Sequence, residues 1–128
     1  MNYTAGKELD TLISEKLGIE PAKYSTDLAA AIQVAEKLRE DGWLVIMKWM
    51  PAEFDFMVGG GMSSEYDGPR PPAKQILKGK TVVDLEWMRK DDWPYMPVPS
   101  IISANTPALA ICRAAMEAVK AIEEQLNR

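Results

Sequence analysis

A chain of 128 residues, 47% hydrophobic and 27% charged, has the size and composition of one globular domain with one core. Its net charge of −4 argues against binding a nucleic-acid backbone, which needs clustered Lys and Arg, but leaves room for a small anion held by a few local basic groups. With no histidine and one cysteine, Ser-His-Asp and Cys-His catalysis, His-ligated metal sites and an internal disulfide are all excluded.

Residues Thr4 to Leu17 read as a first helix with an apolar stripe of Leu9, Leu12, Ile13 and Leu17, stopped by Gly18. A second helix starts at Ser25-Thr26-Asp27 and runs to about Glu40, with Leu28, Ala31, Ile32, Ala35 and Leu38 as its buried stripe. Asp41-Gly42 ends it, the glycine being free to adopt a left-handed conformation. Trp43 to Met50 (WLVIMKWM) reads as a strand, buried on both faces or buried on one and used as a subunit contact on the other. Glu53 to Val58 alternates as a strand should, and Pro51-Ala52 would close a hairpin.

The stretch from Gly59 to Gly79 opens on three successive glycines and holds Pro69, Pro71 and Pro72, so a long loop is expected. Thr81 to Met88 is a third strand, with Val83, Leu85 and Trp87 on one face and Asp84, Glu86 and Met88 on the other. Arg89 to Pro99 is irregular, and Ile101-Ile102 adds a short strand. The last helix runs from Asn105-Thr106-Pro107 to about Leu126. Asn105 or Thr106 can cap it, and Pro107 suits its first position. Cys112, Ala115, Val119, Ile122 and Leu126 share one face, while Arg113, Glu117, Lys120 and Glu124 share the opposite one. The expected fold class is α+β: a single domain over 1–128 with a small, mainly antiparallel sheet, two N-terminal helices and one C-terminal helix in α-β-α layers.

No apolar run approaches the roughly 20 residues of a spanning helix, and the N-terminus lacks the pattern of a signal peptide. With a single cysteine, a cytosolic protein without a membrane partner is expected.

YSTDLAAAIQVAEKLREDGW (Tyr24 to Trp43) and NTPALAICRAAMEAV (Asn105 to Val119) together resemble the phage ABA-sandwich domain family. In that family a YSTD-led helix, a sheet and a terminal TAP-x-AICRA helix recur in this order. The two motifs cover about a third of the chain. The loops 59–79 and 89–100 depart from the pattern, being longer and richer in proline. The family is associated with the Thoeris anti-defence sponges of bacteriophages. The resemblance therefore implies a non-enzymatic protein, without cofactor, in the cytoplasm of the infected bacterial host. It would bind and sequester cyclic nucleotide signals, namely cyclic ADP-ribose isomers or related cyclic oligonucleotides, as a homodimer that assembles further toward a hexamer.

Candidate ligand residues each carry a plainer alternative. Arg113 suits phosphate and purine, and falls on the arginine of the family's CRA motif; periodicity alone pairs it with Glu117 on a solvated face. Asn105 and Thr106 sit at a helix N-terminus able to receive a phosphate, or simply cap it. Trp87 and Arg89 end a strand where an aromatic face can stack on adenine, or Trp87 belongs to the core. Arg70 lies on the long loop, as a clamp or an idle surface arginine. Lys48 reaches water, an acid or a ligand. Ser25, Thr26 and Asp27 belong to capping and Cys112 to inert packing. The carboxylate pairs Glu53/Asp55 and Asp84/Glu86 suit a metal-dependent nucleotide hydrolase, or a solvated strand face. A phage structural or interaction module without nucleotide affinity is the other alternative, with the Trp-rich strands as its assembly surface.

Overall fold

The computed structural model describes residues 3–49, 79–88, 98 and 102–126. In chain order these form α1 (Lys7–Leu17), α2 (Leu28–Asp41), β1 (Trp43–Trp49), β2 (Thr81–Trp87), β3 (Ile102–Ala104) and α3 (Pro107–Leu126). The fold class is the expected one: α+β, with two helices before and one after a three-stranded antiparallel sheet. The hairpin partner expected at Glu53–Val58 and the loop 59–78 lie outside the described residues.

Both N-terminal helices stop where glycine is required. Gly18 (φ 66°) and Gly42 (φ 117°) take left-handed conformations, and each returns a backbone N–H to the last turn. Helix α1 begins three residues later than its sequence reads, at Lys7, because Gly6 (φ 148°) breaks the helical path. Asp27 opens α2 by accepting the Ala29 N–H at 3.0 Å.

The sheet is a meander in the order β1-β2-β3. Trp43 pairs with Trp87, Met47 with Val83, and Thr81 with Ala104. One face, carrying Trp43, Val83, Leu85, Ile102 and Ala104, shares a continuous core with all three helices. Helix α3 is the hub: it packs on α2, β2, β3 and α1. That many neighbours explain why its buried surface is an arc and not a stripe. Ala108, Ala110, Ile111, Cys112, Ala114, Ala115, Met116, Ala118 and Ala121 are all buried, whereas Val119 and Ile122 are half-buried and Leu126 is exposed. Six of these nine buried positions are alanines, small enough for close backbone approach on several sides.

The stripe expected on α2 is also displaced. Ala30, Ala31, Val34 and Leu38 are buried, Leu28 and Ala35 are half-buried, and Ile32 is 46% exposed. The alanine-rich arc of α3 favours the small residues of α2 as the seam, which rotates Ile32 out of it. Strand β1 departs furthest from its sequence. Trp43 is buried, but Leu44, Ile46, Met47 and Trp49 are exposed, so burial on both faces is not what the fold provides.

Candidate functional site

The start of α3 follows directly from β3. Thr106 is its cap: its Oγ1 accepts the Leu109 N–H at 3.3 Å, and its carbonyl accepts the Ala110 N–H at 3.0 Å. Asn105 is exposed beside it. Two turns further on, Arg113 is half-buried and bridges three segments. Its Nε donates to the Tyr3 carbonyl and its Nη1 to the Ser103 carbonyl, both at 2.8 Å. The planar guanidinium thereby ties the N-terminal segment and β3 to α3. No ion pair with Glu117 forms among the described residues. Arginine offers five N–H donors, so Nη2 and the second Nη1 hydrogen stay unused by described residues.

Trp87 sits elsewhere. Its ring meets that of Trp43 edge-on, with centroids 5.0 Å apart and planes at 67°. The indole N–H groups of both are buried without an acceptor among the described residues. Since Thr81 pairs with Ala104, Trp87 lies six residues along β2 from the Asn105 end, a distance of about 20 Å. Within one chain, then, the fold gathers Arg113, Asn105 and Thr106 at one corner and holds Trp87 at another. Arg70 and Arg89 lie outside the described residues.

No family model, no curated protein and no solved structure matches this chain.

The YSTD segment does more than cap a helix. Tyr24 is buried, and its hydroxyl donates to the Glu20 carbonyl. Ser25, also buried, donates its N–H (2.7 Å) and its hydroxyl (2.6 Å) to Asp10 Oδ1, and its Oγ accepts the Gly6 N–H at 2.9 Å. Asp10 thus clamps α1 to the segment before α2. Neither Asp10 nor Tyr3 stands out in the sequence, because their partners are 15 and 110 residues away. A cleft of about 580 Å³ opens beside this clamp, lined by Lys7, Asp10, Thr11, Lys23 and Thr26 among others.

The remaining candidates resolve simply. Lys48 Nζ pairs with Asp84 Oδ2 at 3.0 Å across the exposed sheet face. Asp84 therefore already has a counter-ion, and Glu86 is exposed. Among the described residues no group of three Cys, Asp or Glu side chains is placed to hold a metal ion, and no helix is long and apolar enough to cross a membrane. Cys112 is fully buried, and burial pushes its thiol up to about 12, which removes the thiolate needed for reactivity. A second groove, of about 300 Å³, runs between α2 and β1 and is mostly apolar, with Glu36 and Arg39 on its walls.

Proposed function

We propose that this chain is a phage immune-evasion protein that sequesters a cyclic nucleotide, a cyclic ADP-ribose isomer or a related cyclic oligonucleotide, and releases it chemically unchanged. It would work by mass action, in the cytoplasm of the infected cell, as a homodimer or a higher assembly of dimers. Support comes from the two motifs, Tyr24 to Trp43 and Asn105 to Val119, that resemble the phage ABA-sandwich domain. The observation that carries the reading is Arg113. Two backbone carbonyls hold its guanidinium in a fixed orientation near the start of α3, with donors that no described residue takes up and that would suit an anion. Asn105 and the first turn of α3 would complete a phosphate contact there.

Arg113→Ala alone is a poor test, because it also removes the clamp on Tyr3 and Ser103. Asn105→Ala leaves that clamp intact. The measurement is calorimetric titration with a cyclic ADP-ribose isomer, followed by heating and mass analysis of the released compound. The proposal expects saturable binding, affinity reduced at least about tenfold by Asn105→Ala, and return of the compound intact. No binding, or an altered product, rejects it.

A second reading is favoured by one specific observation. Among the described residues, six of the seven exposed large hydrophobics, Ile32, Leu44, Ile46, Met47, Trp49 and Met88, lie on β1 and its neighbours. Such a patch suits a structural or interaction module. That reading predicts a defined oligomer that retains no small molecule in native mass spectrometry.

A further inference from the structure

Strand β1 has one edge on β2 and another that no described residue pairs with. The ladder's phase shows which groups face that second edge. Met88 N–H donates to the Gly42 carbonyl at 2.9 Å, and the register runs from Trp43↔Trp87 to Trp49↔Thr81. Antiparallel bonding alternates. Leu44, Ile46 and Lys48 therefore exchange hydrogen bonds with β2, while Val45, Met47 and Trp49 turn their N–H and C=O groups outward. Edge strands are ordinarily protected by charge or proline. The single charge on β1 is Lys48, and Asp84 already neutralises it. The side chains flanking the edge are apolar and exposed, Trp49 at 64%.

We propose that this edge pairs with the same edge of a second copy of the chain, antiparallel about a two-fold axis at Met47. The outward-facing groups are self-complementary in that register: Met47 meets Met47, and Val45 meets the second copy's Trp49. Directly opposed residues lie on the same sheet face. The second copy's Trp49 therefore lands on the helix-facing side, beside Val45, at the 300 Å³ groove walled by Ile32, Ala35, Arg39, Trp43, Met47 and Ile111. A bulky aromatic side chain fills much of that space. Arg39, which has no ion pair among the described residues, is placed to lie against the indole face. On the other face, the Lys48 stem of one copy covers Ile46 of the other. The three described strands of each copy join those of the other in one continuous sheet.

This pairing gives the dimer of the nucleotide reading a specific interface but does not require a ligand; a dimer that binds no cyclic nucleotide supports the pairing and rejects the nucleotide reading. The test is sedimentation equilibrium of the full chain and three variants. Met47→Pro removes only an outward N–H, which an edge strand tolerates, and so blocks pairing. Trp49→Glu places a charge in the groove at an exposed position. Leu126→Glu alters an equally exposed residue far from β1. The expected result is a wild-type dimer whose dissociation constant rises at least about 100-fold in Met47→Pro and Trp49→Glu, as loss of an aromatic anchor does, and is unchanged in Leu126→Glu. Circular dichroism checks that each variant is folded, and if Met47→Pro is not, Trp49→Glu decides. A wild-type monomer at every concentration, or a dimer indifferent to Trp49→Glu, overturns the proposal.

Discussion

Ile111 and Ile46 are the same residue type set in apolar runs, yet the fold treats them oppositely. Ile111, on α3, is 2% exposed within the shared core; Ile46, on β1, is 41% exposed. Around Ile111, the buried alanines of α3 join one core shared by all three helices and the sheet. Around Ile46, the described helices pack on one side of the sheet only, and apolar surface stays exposed. The first region determines whether the chain folds. The second bears on what the folded chain meets, since burying its apolar area stabilises nothing until something covers it.

The contrast can be broken directly by truncating both isoleucines. Ile111→Ala leaves a cavity in a packed core and should cost about 3 kcal/mol in denaturant unfolding. Ile46→Ala removes little buried surface and should cost less than about 0.5 kcal/mol in the monomer. Similar losses at both sites would mean that β1 is covered within the chain. The comparison sharpens if Ile46→Ala weakens self-association while leaving unfolding of the monomer unmoved.

A second contrast concerns polar groups. At the Asp10 corner, one carboxylate oxygen takes both donors of buried Ser25. At the Trp43–Trp87 corner, two indole donors have no acceptor among the described residues. Asp10→Ala strands the Ser25 N–H in the interior and should lower stability by about 2 kcal/mol. Trp87→Phe deletes a donor that no described residue accepts and should cost less than that, through packing alone. A larger loss for Trp87→Phe than for Asp10→Ala would show that the indole N–H has an acceptor.

What the sequence made legible follows the same division. Periodicity and capping chemistry located the described helices and strands to within a few residues, because Gly18, Gly42, Asp27 and Thr106 act through their own backbone neighbours. Which face of a helix is buried was less readable. Ile32 is turned out, and the alanines of α3 are taken in, by packing against elements remote in the chain. The candidate site shows the same limit. Arg113 stands out as a charge among apolar residues, but its carbonyl partners on Tyr3 and Ser103 carry no side-chain signature at all. The edge of β1 was readable as an excess of apolar residues, and only the ladder's phase shows which backbone groups it offers.

The smallest expected effect comes from titrating the core itself. Cys112 is raised to about 12 by burial, from an ordinary value near 9, and Tyr24 is raised chiefly by burial. In both, folding favours the protonated form. Their contribution is therefore fully present below the unfolded-state values and is lost as pH rises through the folded ones. For Cys112 that window runs from about pH 9 to about pH 12. At pH 10 the unfolded thiol is mostly ionised and the folded one is not, a loss of about 1 kcal/mol. Thermal unfolding followed from pH 8 to 10.5 should show Tm falling, and Cys112→Ala should fall less steeply because the buried thiol no longer contributes. The exposed β1 region holds neither group, so Trp49→Glu should follow the wild-type slope. A Cys112→Ala slope equal to wild type would mean that the thiol is not sealed in the core, and the division between closed interior and open edge would lose one of its supports.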